Sequence, residues 1–387
     1  MASSFSRIVC LGAITFLMAC SGPSTDPNYQ ASKSLPSYSQ DNFQQYINDT
    51  QQWLSQHRVF KTNNREKELQ ANMPFELIPE NPNGDAVLLV HGLGDSPYSF
   101  QDIAQHLASQ GYLVRTILLP GHGSKVGDLM RPTLEDWQNV VTHHTALLKP
   151  ISNKLWLGGY STGANLVTSE ALHDDDITGL LLFSPAFKPK SSIVKWAKLA
   201  NYFMTWADQD PENNYLRYNS LPMKGAAIYY DTVEIVQQDL QQLSYHKPVF
   251  MMMSESDSVI DTAFPTAVFQ YQFTNPKNQL IWQGEDKLPI SSATTFSMNR
   301  PDLHITNGSH MGLLFSPDNA EYGTKASIRI CDNGQTEEQK LACEQGAEIW
   351  FSAYGQVEEN KIFARLTYNP YFEQSMKKLD MVMKADR

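Results

Sequence analysis

Five short apolar runs constrain the fold of this chain more than any other feature of its sequence. In chain order they are AVLLV (86–90), YLVRTILL (112–119), KLWLGG (154–159), ITGLLLF (177–183) and PVFMMM (248–253). Apolar residues at successive positions over such short stretches are typical of strands that are buried on both faces. Helical patterns separate several of the runs, at residues 98–110, 133–149 and 162–173. This alternation predicts an α/β fold with a mostly parallel central sheet that is covered by helices on both faces.

A long interval, residues 187–246, separates the fourth apolar run from the fifth. Its pattern predicts mostly helical structure, and it is rich in aromatic residues, namely Trp196, Tyr202, Phe203, Trp206, Tyr215 and Tyr218. An insertion of this size between two strands predicts a helical cap over one edge of the sheet. Its aromatic side chains are expected either to cover an apolar pocket or to pack the helices of the cap.

The pentapeptide Gly159-Tyr160-Ser161-Thr162-Gly163 lies where the third apolar run passes into a helical pattern. A serine that stands clear of a sheet needs a very tight strand-to-helix turn, which leaves no room for side chains two positions away. Gly159 and Gly163 provide that room, and the following helix directs its N-terminal amides toward the hydroxyl. We therefore predict that Ser161 is a nucleophile on an elbow between strand and helix. The alternative is a glycine-rich turn whose serine only caps the helix.

A serine nucleophile needs a base, and the base needs an acid that orients it. The chain order expected with such an elbow is serine, acid, histidine. Asp257 lies close to the end of the fifth apolar run, and Val259 and Ile260 can anchor its loop, so we predict it to be the acid. Asp261 and Glu255 are its rivals. An aspartate that only caps a turn is the alternative without catalysis.

Two histidines lie in the segment DLHITNGSHMGLLF. His310 follows the loop 307–309, just past a strand-like run, and we predict it to be the base. His304 lies inside the alternating run itself, where a half-buried histidine without a catalytic role is expected.

The oxyanion of an acyl-transfer intermediate needs hydrogen-bond donors, which backbone amides can supply. The amide of Thr162, directly after the nucleophile, is one predicted donor. The loop His91-Gly92-Leu93-Gly94 after the first apolar run is rich in glycine, and the amide of Leu93 is the second predicted donor. His91 itself is expected to hold the loop through a hydrogen bond of its ring.

Six motifs lie between residues 87 and 313 in the order that one known family has them: LLVHGLGDSPYSF, LLPGHGSKVGDL, TLEDW, GGYSTGANL, SESDSVID and NGSHMGL. On these motifs the chain resembles the serine hydrolases of the α/β-hydrolase fold, a group that includes monoacylglycerol lipases, bacterial carboxylesterases and serine aminopeptidases. The resemblance implies the same triad of Ser161, Asp257 and His310, and a loop-structuring role for His122. The chain departs from the family in having 52 residues between Asp257 and His310, an unusually long spacing.

The resemblance implies a hydrolase that cleaves carboxylic esters through an acyl-enzyme on Ser161, without a metal or a cofactor. Esters of monoacylglycerols or lysophospholipids are among the substrates it implies. An aminopeptidase or an acyltransferase with the same triad is the alternative enzyme. A further alternative is a lipoprotein that binds an apolar ligand on a catalytically silent hydrolase scaffold.

The N-terminus resembles the export signal of a bacterial lipoprotein. Arg7 precedes an apolar run of twelve residues, Ile8 to Ala19, which is too short to span a bilayer. Because the run ends in a lipobox-like Leu-Met-Ala before Cys20, residues 1–19 are expected to be removed and Cys20 to be lipidated. A plain signal peptide with a chance cysteine is the alternative.

The residues after Cys20 predict where the protein is anchored and how it is attached. In bacterial lipoproteins an aspartate directly after the lipidated cysteine favours the inner membrane. Ser21 stands at this position, so the resemblance implies an anchor in the outer membrane, with the protein in the cell envelope facing the periplasm. Residues 20–40 are polar and predict a flexible tether. The hydrolase domain is expected to occupy residues 41–387.

Charge and cysteine content exclude one class of partner and favour one covalent link. With 30 basic and 41 acidic side chains, the formal net charge of −11 is a poor match for nucleic acid. Cys331 and Cys343 remain after Cys10 and Cys20 are set aside, and in an oxidising compartment a disulfide between them is the default prediction. It would pin an elaboration at about 314–365 that has no counterpart in the family. The sequence near this pair offers no histidine or second cysteine pair, so a metal site is not indicated.

Overall fold

The computed structural model describes residues 25–326 and 328–384. The predicted signal peptide and the lipidation site at Cys20 lie outside the described residues. No helix within the described ranges is both long enough and apolar enough to cross a membrane.

The described residues form the following strands and α-helices, named in chain order. The strands are β1 (Glu76–Leu77), β2 (Ala86–Val90), β3 (Leu113–Ile117), β4 (Leu155–Tyr160), β5 (Ile177–Phe183), β6 (Trp206–Asp208), β7 (Leu221–Pro222), β8 (Val249–Ser254), β9 (Gln279–Gln283), β10 (Ala293–Phe296), β11 (Trp350–Ser352) and β12 (Phe363–Arg365). The α-helices are α1 (Phe43–His57), α2 (Arg65–Asn72), α3 (Gln101–Ser109), α4 (Leu134–Leu148), α5 (Thr162–Leu172), α6 (Ala197–Ala200), α7 (Met223–Gln242), α8 (Ala263–Tyr271), α9 (Glu337–Glu344) and α10 (Phe372–Lys384).

The central sheet has the strand order β1-β3-β2-β4-β5-β8-β9-β10. Strand β1 pairs antiparallel with β3, whereas the other pairings of this sheet are parallel. The five apolar runs are strands β2, β3, β4, β5 and β8, as predicted. Because the strands run parallel, their carboxyl ends meet at one edge, and the loops that follow them lie together there.

Burial on both faces explains why the runs are apolar at successive positions. In β2, Leu88 and Val90 point into one hydrophobic core and Val87 and Leu89 into the other, and all four are fully buried. Helices α4, α5, α7 and α8 cover the first core, and α3 and α10 cover the second. The fold is therefore the predicted α/β-hydrolase fold, with helices on both faces of a mostly parallel sheet.

Two strands account for the long spacing between Asp257 and His310. Strand β9 pairs with β8 over Phe250 to Ser254, and β10 adds a further parallel strand at the edge of the sheet. The polar loop and strand after β9 lengthen the chain without moving the carboxyl end of β8 away from the His310 loop.

The interval 187–246 differs from the helical cap predicted for it. Its long helix, α7, packs Ile228, Val233 and Val236 into the main core. The rest is a 3-10 turn, the short α6, and the hairpin of β6 and β7, with an irregular stretch at 209–220. That stretch contains proline, aspartate and asparagine, which favour turns over helix. The cap is thus residues 187–222, and it is mostly not helical.

The flexible tether predicted for residues 20–40 is also corrected over its described part. The Ser32 amide donates to Asp128 Oδ1 at 2.6 Å, and the Tyr29 hydroxyl donates to the Asp210 carbonyl at 2.8 Å. The Tyr29 ring also packs edge-on against Trp206, with ring centroids 5.3 Å apart. These contacts attach the segment to the domain and to the cap, because its aromatic residue finds an apolar partner despite the polar composition.

The elaboration at 314–365 carries α9 and the parallel pair of β11 and β12. Cys331 and Cys343 form a disulfide whose Cα atoms lie 5.7 Å apart. Both cysteines are buried with Ile349 and Ala364 in a small hydrophobic cluster. The bond therefore fixes α9 onto the strand pair.

Candidate active site

Ser161 stands at the turn between β4 and α5 with a φ of +55°, a left-handed value that is strained for a residue with a side chain. A Cβ on Gly159 would lie 2.5 Å from the Ala164 amide, and one on Gly163 would lie 2.1 Å from the Val90 carbonyl oxygen. Both positions therefore require glycine, for the steric reason that the sequence indicated.

The structure brings Ser161, His310 and Asp257 into one series of hydrogen bonds. Ser161 Oγ donates to His310 Nε2 at 2.9 Å, and His310 Nδ1 donates to Asp257 Oδ2 at 2.6 Å. Asp257 is fully enclosed, whereas the His310 side chain is 12% exposed and Ser161 is 8% exposed. In this arrangement the imidazole can accept the serine proton while the carboxylate fixes its tautomer and orientation.

Asp257 is held by its own loop as well as by the histidine. Its Oδ1 accepts hydrogen bonds from the amides of Val259 at 2.8 Å and Ile260 at 3.1 Å. The rivals have other partners: Asp261 pairs with Lys188 at 2.8 Å, and the hydrogen bond from Lys188 lowers the pKa of Asp261. Glu255 accepts from the amides of residues 285 and 286, beyond β9.

The loop of His310 is anchored to the elaboration that follows it. Ser309 Oγ donates to the Leu366 carbonyl at 2.5 Å, and the Ala353 amide donates to Asn307 Oδ1 at 2.7 Å. His304 lies elsewhere, 43% exposed and stacked on Trp350 with ring centroids 4.9 Å apart. It has a left-handed φ of +53° after a 3-10 turn, so the strand expected around it is not formed.

Two buried histidines hold the loop after β2. The Leu119 amide donates to His91 Nε2, and the Gly94 amide donates to His122 Nε2, each at 3.0 Å. Burial lowers the pKa of His91 to about 4 and lowers that of His122 well below its ordinary value, so both rings are neutral acceptors near neutral pH. These rings shape the loop, in agreement with the roles that the sequence suggested for them.

The two amides predicted to stabilise an oxyanion are free to donate. Within residues 25–326 and 328–384, neither the Leu93 amide nor the Thr162 amide has a hydrogen-bond partner. The loop lies close to the nucleophile, since a Cβ on Gly92 would be 3.1 Å from Ser161 Cβ. Unpaired amides beside a serine at a helix N-terminus are suited to binding a developing negative charge.

The end of the cap is joined to this loop by Tyr218, a contact that the sequence did not reveal. The Tyr218 amide donates to the Gly94 carbonyl at 2.7 Å, and its ring stacks on His122 at 6.1 Å. Its hydroxyl accepts from the Ser124 amide at 3.0 Å. No local signal in the sequence connects this tyrosine to a loop more than a hundred residues earlier.

The N-terminal helix pair, α1 and α2, supports the same region. Arg58, next to α1, donates to the Gly123 carbonyl at 2.5 Å and to the Tyr215 carbonyl at 2.6 Å. Its charge is balanced by buried Glu68 of α2 at 3.0 Å. The pair therefore fixes the cap end against the loop that carries His122.

In the part of the chain that the structure describes, no group of three or more histidine, cysteine, aspartate or glutamate residues could hold a metal ion.

Comparisons with known proteins found a family model, relatives and solved structures that are similar to parts of this chain. Residues 81–212 match the family model Hydrolase_4, described as "Serine aminopeptidase, S33". A thermostable monoacylglycerol lipase from a Bacillus species is 35% identical over 100 residues, which are 26% of this chain and 40% of that lipase. The chain therefore spans less than half the length of this relative.

A carboxylesterase from Bacillus subtilis is 21% identical over 207 residues, which are 52% of this chain and 82% of the esterase. A solved structure of a metagenome-derived lipolytic enzyme has a TM-score of 0.48 at 18% identity, covering 55% of this chain and 87% of that one.

Proposed function

We propose that the chain is a serine hydrolase of the α/β-hydrolase fold and that it hydrolyses carboxylic esters through an acyl-enzyme on Ser161. The observation that carries this proposal is the continuous series from Asp257 through His310 to Ser161 at a strained elbow. Such a series is the geometry that activates a serine hydroxyl.

The proposed reaction has two halves. His310 Nε2 accepts the proton of Ser161 as Oγ attacks the ester carbonyl, and the amides of Leu93 and Thr162 donate to the oxyanion. The tetrahedral intermediate then collapses as His310 returns the proton to the leaving alcohol. Water attacks the acyl-enzyme by the same route and releases the acid. Asp257 accepts the hydrogen bond from His310 Nδ1 and stabilises the imidazolium.

The substrate class proposed is a carboxylic ester with an apolar acyl group, such as a monoacylglycerol or a lysophospholipid. Relatives named as a monoacylglycerol lipase and a carboxylesterase support this choice. The cap adds support, because it exposes large apolar side chains: Ile193, Trp196, Leu199, Tyr202, Phe203 and Met204. Exposed patches of this kind favour contact with apolar ligands or surfaces.

An aminopeptidase is the second candidate, since the matching family model carries that description. A panel of nitrophenyl esters graded by acyl length, assayed beside a proline nitroanilide, separates the two activities. We expect turnover of the esters, little turnover of the anilide, and loss of ester turnover by several orders of magnitude in Ser161→Ala. Preferred cleavage of the anilide would overturn the ester assignment, and undiminished ester turnover in Ser161→Ala would overturn the nucleophile.

The protein is, on this proposal, a lipoprotein of the cell envelope that is anchored to the outer membrane through Cys20 and faces the periplasm. The disulfide of Cys331 and Cys343 supports an oxidising compartment. An anchor of this kind would keep the enzyme near lipid esters.

A further inference from the structure

Arg217 lies in the cap segment beside the active site, and its guanidinium lacks an oxygen acceptor within the described residues. Its Nε is buried without a hydrogen-bond partner, and its Nη1 lies 3.7 Å from the Met311 sulfur, a weak acceptor. Among the described residues, the carboxylate oxygen nearest to the guanidinium is Asp95 Oδ1. It lies 3.9 Å from Arg217 Nε, beyond hydrogen-bond distance. A guanidinium has five N–H donors, and enclosing them without partners is costly.

Other arginines of the structure with low exposure do not share this property. Each of them donates to at least one oxygen within 3.1 Å: Arg58 to Glu68, Arg115 to Glu76, Arg300 to Asp302, and Arg365 to Asn333. Arg217 is 27% exposed at its side chain, so a solute can reach it. The contrast indicates that its acceptor oxygens come from outside the chain.

The guanidinium is next to the reacting groups. Asp95, its neighbour, lies on the loop of Leu93, and a Cβ on Gly92 would be 3.2 Å from Asp95 Oδ2 and 3.1 Å from Ser161 Cβ. Met311, which Arg217 also contacts, directly follows His310. A group bound by Arg217 would thus lie on the substrate that occupies the ester site.

Charged groups of both signs surround Arg217: burial lowers its pKa, whereas the charges of Asp95 and Glu212 raise it. Burial lowers the pKa of Arg365 to about 10, and the charge of Arg217 adds to this effect, so the two cations lie near each other. Burial raises the pKa of Asp95, which the charges of Arg217 and His310 oppose. Asp95 Oδ1, at 3.9 Å, is too far away to accept a hydrogen bond, so the fork of Arg217 keeps donors for the oxygens of a further group.

We propose that Arg217 binds an anionic group of the ester substrate, a carboxylate or a phosphate, and so selects anionic esters over neutral ones. The planar fork of a guanidinium matches the paired oxygens of both groups. Asp95 orients the guanidinium of Arg217 without accepting hydrogen bonds from it, so the N–H donors of Arg217 remain available. This inference rests on the proposed ester hydrolysis and adds a substrate class to it.

The test compares pairs of esters in which one member carries an anionic group that the other lacks. The phosphate pair is monolauroylglycerol and lauroyl lysophosphatidate, and the carboxylate pair is para-butyryloxybenzamide and para-butyryloxybenzoate. The quantity measured is the ratio of kcat/KM for the anionic ester to that for the neutral ester. Wild-type protein is expected to favour the anionic member of at least one pair, and that pair identifies the source of the anion.

Arg217→Gln is expected to lower this ratio by about tenfold to a hundredfold, the effect of losing charge-assisted hydrogen bonds. Arg217→Lys keeps the charge without the fork and is expected to give an intermediate ratio. Lys195→Gln is the matched control, because Lys195 is an exposed cation elsewhere on the same cap, and its ratio is expected to equal that of wild type. Thermal unfolding of each variant checks that it is folded.

Binding to Ser161→Ala separates this inference from the proposed hydrolysis. Calorimetry with the same two pairs is expected to show tighter binding of the anionic ester, and the double variant with Arg217→Gln is expected to lose that preference. Equal binding of anionic and neutral esters, or a ratio unchanged by Arg217→Gln, would overturn the role of Arg217 whatever the turnover. If wild-type protein showed no turnover and the anionic esters still bound more tightly, the proposed ester hydrolysis would be overturned and the role of Arg217 would stand.

Discussion

Ser161 depends on its backbone as much as on its side chain. Its φ of +55° lifts the hydroxyl toward His310, and the two flanking glycines are needed because a Cβ at either position would overlap backbone atoms. This geometry was predictable from five consecutive residues, because the crowding that it creates is local. Candidate site residues that lie within one turn are the ones that local sequence patterns predict best.

A histidine exchange tests which imidazole acts. His310→Ala removes the acceptor that lies 2.9 Å from Ser161 Oγ, so ester kcat/KM is expected to fall by about a thousandfold or more. His304→Ala, at a partly exposed site stacked on Trp350, is expected to stay near wild type. Steady-state kinetics with a nitrophenyl ester gives both values, and the reverse pattern would assign the base to His304.

The buried ring of His91 makes stability depend on pH. Burial lowers its pKa from 6.5 to about 4, so the unfolded chain binds more protons there than the folded one. The stabilisation is complete above pH 6.5 and is lost as pH falls toward 4, which amounts to roughly 3 kcal/mol from this ring. Urea unfolding at pH about 7 and about 4.5 measures the change.

Two glutamine variants show whether His91 is the source of this dependence. His91→Gln is expected to reduce the loss of unfolding free energy at low pH, because the replaced side chain does not titrate there. His246→Gln, at an exposed position, is the matched control and is expected to keep the wild-type slope. An unchanged slope in His91→Gln would assign the dependence to other groups.

At the scale of elements, three segments from distant parts of the chain meet above the sheet edge. The cap end contacts the loop of Leu93 through Tyr218, and Arg58 of the α1–α2 pair joins the cap end to the loop of His122. The elaboration holds the His310 loop through the bond from the Ala353 amide to Asn307. The sequence did not predict these contacts, since each joins residues with no local relationship. The sequence also predicted more helix in the cap than the structure contains, because tertiary contacts set the conformation of its polar turn residues.

The disulfide links the stability of the elaboration to the position of His310. Replacing both Cys331 and Cys343 by serine removes a link across twelve positions, and the free energy of unfolding is expected to fall by about 2–4 kcal/mol. Urea denaturation of the double variant measures this loss. Ester turnover in mild denaturant is expected to decline with it, because residues 307 and 309 are bonded to the elaboration.

Dithiothreitol provides the control for this prediction. Reduction is expected to destabilise wild-type protein and to leave the double variant unaffected. If the variant has wild-type stability, the elaboration is held by its hydrophobic cluster alone.

For the whole molecule, the sequence predicted the sheet and its two covered faces, because buried strands leave strong local patterns. The structure brings the predicted triad residues together, and their catalytic roles stay predictions. Strand β10 and the attachment of residues 27–40 were missed. Both depend on edge pairing or on a single aromatic contact, such as Tyr29 on Trp206, that composition does not signal.

Membrane attachment is a prediction at this scale, and it concerns residues outside those described. Cys20→Ser removes the thiol that would carry the lipid, so the protein is expected to move from the membrane fraction to the soluble periplasmic fraction. Metabolic labelling with palmitate and fractionation of the cell envelope measure this, with Ser21→Ala as a control expected to remain on the membrane. Equal membrane retention of Cys20→Ser would contradict an anchor at this residue.

The most direct test of the central claim is the intact mass of the protein after treatment with a fluorophosphonate, followed by peptide mapping. Activation of Ser161 by His310 predicts one adduct on Ser161 in wild-type protein, none in Ser161→Ala, and much slower labelling in His310→Ala. An unlabelled wild-type protein, or an adduct on another residue, would contradict Ser161 as the nucleophile.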